Sequence, residues 1–410
     1  MAEPVVAIVG AGQGGFQVAS SLRQEGFAGR VVLFGDEAVL PYQRPPLSKS
    51  YLAGDSGRDE VWLRPEAFYE KQAIDLVAGD PVVAIDRRER CLRLASGRDI
   101  GFDHLVFATG ARNRALPVPG AELDGVLGLR SLADADALRQ RLADARAAVV
   151  IGAGFIGLEF ASVAIAAGLA VDIVELTQRP MGRVVSAAVS QYFTAMHLRW
   201  GAEIALGTGV ARILGDSGRV EGVELSDGRR LAADLVLVCV GVVPNVELAA
   251  TAGLPIDNGI AVDAHLVTAE PALTAIGDCA NFPTRFAAER VRLESVQNAV
   301  DQARSVAAGI AGKPVVYDKV PWFWSDQRDL KLQIAGLTAG HDRAVIRGDV
   351  ESGSFSVFCF RDGRLLGVES VNRPADHIAA RRILAGEPRL LPEQAADPDY
   401  DLRAHAARRP

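Results

Sequence analysis

An α/β fold with two parallel-sheet units, one inserted into the other, and a smaller α+β domain at the C-terminal end is what this 410-residue sequence predicts. Three observations predict it. A glycine-rich strand–turn–helix pattern occurs twice, at residues 9–26 and 151–168. Short apolar strands at 105–111 and 273–280 lie on either side of the second copy, as if the first unit were interrupted and then resumed. Beyond about residue 316 the pattern changes to alternating runs, 355–360 and 365–371, around a turn at Asp362-Gly363, which reads as an antiparallel hairpin.

The two copies are VGAGQGGFQVASSLRQEG and IGAGFIGLEFASVAIAAG. Aligned without gaps, Gly10, Ala11, Gly12, Gly15, Ala19, Ser20 and Gly26 match Gly152, Ala153, Gly154, Gly157, Ala161, Ser162 and Gly168. Each copy follows a β-branched run, leads into a helical pattern, and reaches a second strand, 30–34 or 170–174. An acid follows that strand: Asp36-Glu37 in the first copy, Glu175 in the second. These are the parts of a Rossmann-type dinucleotide-binding unit. The first glycine permits a tight turn, the second clears the path of a pyrophosphate, and the third lets helix and strand pack closely. Amide groups at the helix start hold the anion, and the acid accepts hydrogen bonds from a ribose diol. One such motif is weak; two in the same context make two nucleotide sites the preferred reading.

Composition narrows the function. A formal net charge of −7 argues against a dedicated nucleic-acid or anionic-membrane binder. The chain opens on MAEP and runs straight into a strand, so a secretory leader is not expected. The longest apolar stretch, 147–171, contains Gly152, Gly154, Gly157 and Glu159, and reads as strand, turn and buried helix rather than a membrane span. The four cysteines, Cys91, Cys239, Cys279 and Cys359, form no C-x-x-C pair and no metal-ligand spacing, as for reduced thiols of a cytoplasmic protein. Glu159 stands alone in the apolar stretch where the first copy has Gln17, and a buried charge needs a partner. The stretch itself does not say which residue supplies it.

The order of these parts resembles the flavoproteins of the glutathione-reductase superfamily, and most nearly the FAD-dependent NADH:ferredoxin reductases. The residues that carry the resemblance are LPYQRPPLSK at 40–49, ESVQNA at 294–299 and PWFWSDQ at 321–327. The resemblance implies FAD contacts at Gly10, Gly12, Gly14, Gly15, Asp36 or Glu37, Arg44, Lys49, Val82, Thr109, Arg130, Asp278, Val296 and Trp324. It implies NADH contacts at Gly152, Gly154, Ile156, Gly157, Glu159, Glu175 and Gly241. Lys49, Glu159 and Trp324 are the expected catalytic set, with Lys49 the implied partner of Glu159 and no metal. Glu175 favours NADH because it would repel a 2′-phosphate, although Arg179 lies near enough in sequence to meet one. The six histidines show no catalytic constellation.

The implied reaction is reduction of FAD by NADH and single-electron transfer to a 2Fe-2S ferredoxin, which serves a haem-thiolate mono-oxygenase or a ring dioxygenase. An acidic ferredoxin would need a local basic face, for which Arg64, Arg304, Arg328 and Lys331 are candidates. The competing readings are a redox-controlled interaction flavoprotein resembling apoptosis-inducing factor and an NADH oxidase. A disulfide reductase lacks its cysteine pair. The expected layout is an FAD-binding domain at 1–112 and 240–315, an NAD-binding domain at 113–239, and a C-terminal α+β domain at 316–410 whose residues from 393 on form an exposed tail.

Overall fold

A computed structural model describes residues 3–386 and 389–407. Its chain divides into two compact units. The first takes in Met1–Gln43, Asp59–Arg112 and Val243–Lys319; the second takes in Arg44–Arg58, Asn113–Val242 and Val320–Pro410.

The first unit is organised by a five-stranded parallel sheet in the order Leu273–Ala275, His104–Phe107, Val5–Val9, Arg30–Gly35, Ile74–Ala78. Its central strands are unbroken apolar runs because both faces are covered. Val6, Ala7, Ile8 and Val31 through Phe34 are at most 1% exposed. The register pairs Val9 with Phe34 on one side and with Phe107 on the other. Helices Gln13–Gln24 and Val296–Ile310 pack on each other. A three-stranded antiparallel sheet, Val82–Asp86, Cys91–Leu94 and Asp99–Gly101, completes the unit.

The second unit repeats this plan. Its parallel sheet runs Ala202–Leu206, Ala170–Glu175, Ala147–Ile151, Leu235–Val238, Val126–Leu127. The apolar stretch of the sequence becomes strand Ala147–Ile151 and helix Phe155–Ala166. That helix has 12 residues. At ~1.5 Å per residue it reaches about 18 Å, short of the ~30 Å of a bilayer interior. Among the described residues no helix is long and apolar enough to cross a membrane.

Packed in the same unit is a five-stranded antiparallel sheet, Trp322–Gln327, Leu330–Gly336, Arg364–Val371, Ser354–Arg361, Arg343–Asp349, backed by helix Pro374–Ala385. Ser354–Arg361 and Arg364–Val371 form the expected hairpin. Glu369 of this sheet reaches helix Ala187–Trp200, where its carboxylate accepts the Ser186 amide at 2.8 Å and hydroxyl at 2.6 Å. Burial pushes this carboxyl above the usual carboxylate range, and the Ser186 donors oppose the shift.

Two features depart from the sequence reading. Arg44–Arg58 groups with the second unit instead of with the rest of residues 1–112. Short helical turns at Pro45–Ser48 and Ser50–Ala53 pack on helices Leu132–Asp144 and Phe155–Ala166, and the Tyr51 hydroxyl bonds Asp136. Residues 393–407 are mostly exposed, as expected, but they are not a loose tail. They form helices Pro392–Ala396 and Leu402–Ala407, with Ala395 and Leu402 buried. Arg347 donates to the carbonyls of Asp397, Pro398 and Tyr400. Two small anchors and one arginine hold a segment whose composition alone reads as solvated; residues 408–410 lie outside the described residues.

His377, on helix Pro374–Ala385, is buried against the edge of Trp322, and neither ring nitrogen has a hydrogen-bond partner among the described residues. Burial, with the Arg381 charge nearby, pushes its pKa from 6.5 down to about 4. Below pH ~6.5 the unfolded chain takes up a proton that the fold refuses, so stability falls as pH drops towards 4, by up to about 1.4 kcal/mol per pH unit. Burial depresses His104 in the same way, so replacing His377→Phe should make the stability–pH curve less steep in this window without flattening it, as read by denaturant midpoints. An unchanged slope would contradict the assignment.

Candidate functional site

The two glycine turns are built alike. Strand Val5–Val9 ends at Gly10 with φ +113, and strand Ala147–Ile151 ends at Gly152 with φ +102. A Cβ on Gly10 would lie 2.2 Å from the Ala108 carbonyl oxygen, and one on Gly152 would lie 2.4 Å from that of Cys239. Backbone conformation and lack of space both demand glycine. At Gly15 and Gly157 an added Cβ would come within 1.9 and 2.2 Å of the carbonyl oxygens of Gly10 and Gly152, so the helix seats directly on its turn.

Gly12 and Gly154 differ from these. They have ordinary φ of −77 and −78, and an added Cβ would meet nothing within 4 Å. The protein itself has no need of glycine there, but a ligand pressed against the backbone would. Each is the N-cap of its helix, and neither helix has a side-chain cap. The first amides of both helices are thus left for an anion, and both turns fit a dinucleotide pyrophosphate.

Each turn is paired with an acid. Glu175 Oε2 accepts the Ala153 amide at 2.8 Å, and Oε1 accepts the Thr177 amide and hydroxyl at 2.9 and 2.8 Å. This carboxylate is pinned at the mouth of the second turn. Arg179 is turned into its own loop, donating to the carbonyls of Val185 at 2.7 Å and Gly182 at 2.8 Å, so its guanidinium is already engaged. In the first copy the Tyr42 hydroxyl lies 2.9 and 2.8 Å from the two oxygens of Glu37. Asp36 is exposed and accepts only the Glu37 amide among the described residues.

In the first unit, Gly14 faces Ile276 and Ala299 side chains, and Gly10 abuts Ala108. The glycine turn, Thr109, Asp278 and Val296 therefore gather at the carboxyl end of the parallel strands, where α/β sheets bind ligands. Thr109 is locked by Asn245, through Oγ1 to its carbonyl at 2.6 Å and a return bond at 2.9 Å. Asp278 lies in the turn Gly277–Cys279, and Val296 begins a helix capped by Ser295. Val82 is buried at the start of its strand.

The second unit contains a buried ion pair. Lys49 Nζ lies 2.6 Å from Glu159 Oε2, with Glu159 only 2% exposed. Ser48 donates to the same oxygen at 2.5 Å, and Ser325 donates to Oε1 at 2.6 Å. Burying a carboxylate costs several kcal/mol unless its oxygens are satisfied, and deleting one partner of such a pair costs about 3–5 kcal/mol. Here both oxygens are satisfied. Arg44, in the same segment as Lys49, donates to the Arg130 carbonyl, which brings two more expected residues together. Ile156 is 41% exposed beside Gly154, and Gly241, with φ +99, has the Arg183 guanidinium 3.9 Å from where its Cβ would lie.

Trp324 joins none of these hydrogen bonds. Its ring lies tilted against that of Trp322, with centroids 5.5 Å apart, while alternation along the strand turns the buried Ser325 to the other face. Of the basic-face candidates, Arg304 pairs with Asp301 at 3.3 Å, Arg328 covers the Trp200 ring, and Arg64 lies over Phe68. Ser48, Ser325, Gln327 and His197 were not singled out by sequence. The first three lie inside quoted motifs, but nothing in their spacing signals a shared carboxylate.

All four cysteines are free. Burial pushes the Cys239 thiol up to about 12 and raises those of Cys279 and Cys359 as well. Among the described residues no cluster of His, Cys, Asp or Glu could hold a metal ion.

Residues 4–303 match the family model for pyridine nucleotide-disulphide oxidoreductases, and residues 322–406 match a reductase C-terminal domain. The chain is 53% identical over 403 residues to rhodocoxin reductase of Rhodococcus erythropolis, spanning 98% of this chain and 94% of that one. The crystal structure of a ferredoxin reductase for the CYP199A2 system from Rhodopseudomonas palustris is 55% identical, with a TM-score of 0.97 over 98% of this chain and 100% of the other. A covalent putidaredoxin reductase–putidaredoxin complex is 40% identical, with a TM-score of 0.96 over 99% of each chain. The chain belongs to the pyridine nucleotide-disulphide oxidoreductase family, among its ferredoxin reductases.

Proposed function

We propose that this chain is an FAD-dependent NADH:ferredoxin reductase that supplies electrons to a mono-oxygenase or dioxygenase through a 2Fe-2S ferredoxin. The observation that carries the reading is the pair of glycine turns, each open at its second glycine, in a chain whose thiols are unpaired and in three cases pushed towards the neutral form. Electrons from a nicotinamide cannot leave by a disulfide here. The likeness to a reductase solved in complex with putidaredoxin supports an iron–sulfur protein as the acceptor. Bound FAD takes two electrons together from NADH and gives them up singly, which a one-electron acceptor requires.

Residues 1–112 and 240–315 are assigned to FAD binding, 113–239 to NAD binding, and 316–410 to the C-terminal domain. Gly10, Gly12, Gly14 and Gly15 receive the FAD pyrophosphate, and Val82 flanks its adenine. Asp36, the more exposed of the two acids that follow the strand, is assigned the ribose. Thr109, Asp278 and Val296 line the flavin side, where the amino end of helix Val296–Ile310 favours negative charge. Arg44, Lys49, Arg130 and Trp324 complete the FAD set. Gly152, Gly154, Ile156, Gly157, Glu159, Glu175 and Gly241 receive NADH. Lys49, held by Glu159, supplies a fixed positive charge to the site of reduction. The four unpaired cysteines support a cytoplasmic location.

Two measurements check this. NADH should drive rapid cytochrome c reduction only when a ferredoxin is added, and lower salt should speed it if docking is electrostatic; turnover indifferent to ferredoxin would overturn the reading. Glu175→Ala should narrow the preference for NADH over NADPH, but Arg179, tied to Val185 and Gly182, should limit the gain with NADPH. An unchanged ratio of the two kcat/KM values would remove Glu175 from the specificity site.

A further inference from the structure

The polar contacts of Glu159 continue away from Lys49. Ser325 Oγ donates to Glu159 Oε1 at 2.6 Å, so the hydrogen it accepts comes from elsewhere, namely Gln327 Nε2 at 3.2 Å. The Gln327 amide then presents its oxygen to His197 Nε2 at 2.8 Å. An amide oxygen only accepts, so His197 carries its hydrogen on Nε2. Every donor in the series His197, Gln327, Ser325 points towards the carboxylate, giving the chain a single polarity.

These groups are deeply buried. His197, Gln327 and Ser325 are 0% exposed. They come from helix Ala187–Trp200 and strand Trp322–Gln327, and converge on helix Phe155–Ala166, which carries Glu159. Ser325 and Gln327 share a strand face, two residues apart, and Phe323 on the same face packs on Phe155 with ring centroids 4.5 Å apart. Apolar side chains could fill this core without the penalty of burying three polar groups. Among the described residues His197 makes no other side-chain hydrogen bond, since its Nδ1 is without a partner. The arrangement is explained if the orientation of the carboxylate matters. With Oε1 held by Ser325, Oε2 is turned to Ser48 and Lys49.

We propose that Ser325, Gln327 and His197 are positioning residues for the Lys49–Glu159 pair, a buried hydrogen-bond chain that fixes the Glu159 carboxylate and through it the Lys49 ammonium. The inference rests on the proposed role of that pair in reduction by NADH.

The test uses the FAD-loaded enzyme mixed anaerobically with NADH, reading the limiting rate of flavin reduction and the Kd for NADH separately. Ser325→Ala, Gln327→Met and His197→Met should each lower the limiting rate by about tenfold, a fold-change in keeping with loss of one orienting hydrogen bond. The Kd should hardly move. His197→Gln keeps a donor nitrogen and should recover most of the lost rate, which a merely space-filling role would not predict. If the methionine variants yield no holoenzyme, Ser325→Ala and His197→Gln decide the matter. Lys49→Met is the control. If it slows reduction while the positioning variants stay within about twofold of the parent, the chain has no positioning role although the pair keeps its own. If Lys49→Met has no effect on reduction, the role of the pair and this proposal fall together.

Discussion

At Gly10, and again at Gly152, the main chain passes so close to the carbonyl of a neighbouring segment that no side chain can stand there. Much of the molecule is organised around that approach. It lets each strand turn at once into its helix, which leaves the helix's first amides without side-chain caps at the carboxyl edge of a parallel sheet. Unpaired amides at a helix start are costly to bury and are satisfied by an anion. The open space at Gly12 and Gly154 leaves room for such an anion against the backbone. The same physical solution, used twice in one chain, gives it two dinucleotide sites.

The second constraint is a charge in the wrong place. Helix Phe155–Ala166 is apolar apart from Ser162 and carries a single charge, Glu159, and a lone buried carboxylate would destabilise the fold. Ser48, Lys49 and Ser325 satisfy both of its oxygens, drawing on the segment Arg44–Arg58 and on the C-terminal sheet. This explains why a short stretch of the first hundred residues groups with the second unit. A polar requirement at one atom pair recruits pieces distant in sequence, and the specificity gained lies in geometry more than in stability.

Much of this was legible in the sequence. The repeat, the inserted second unit and the C-terminal hairpin follow from local patterns that the chain must obey wherever it folds. That Glu159 needs a partner was legible, since a lone acid in an apolar helix is costly to bury; that the partner is Lys49 came from the family resemblance, and the pair is present. What local pattern could not show is how residues distant in sequence converge. Ser325 and Gln327 sit in a tryptophan-rich strand whose aromatics draw attention to the other face. His197 is a single histidine on an ordinary helix. The segment after residue 392 looks solvated because its anchors, Ala395 and Leu402, are few and small, and the arginine that secures it lies some fifty residues earlier in the chain.

On this reading the two turns serve two different nucleotides. Because a Cβ at Gly12 or Gly154 meets no protein atom within 4 Å, an aspartate at either position should disturb the ligand and not the fold. The direct measurement is flavin content and flavin reduction by NADH in Gly12→Asp and Gly154→Asp. Gly12→Asp should give a folded, colourless protein, and Gly154→Asp a yellow protein that NADH no longer bleaches. A Gly12→Asp protein that retains full FAD, or a Gly154→Asp protein that loses it, would contradict the assignment.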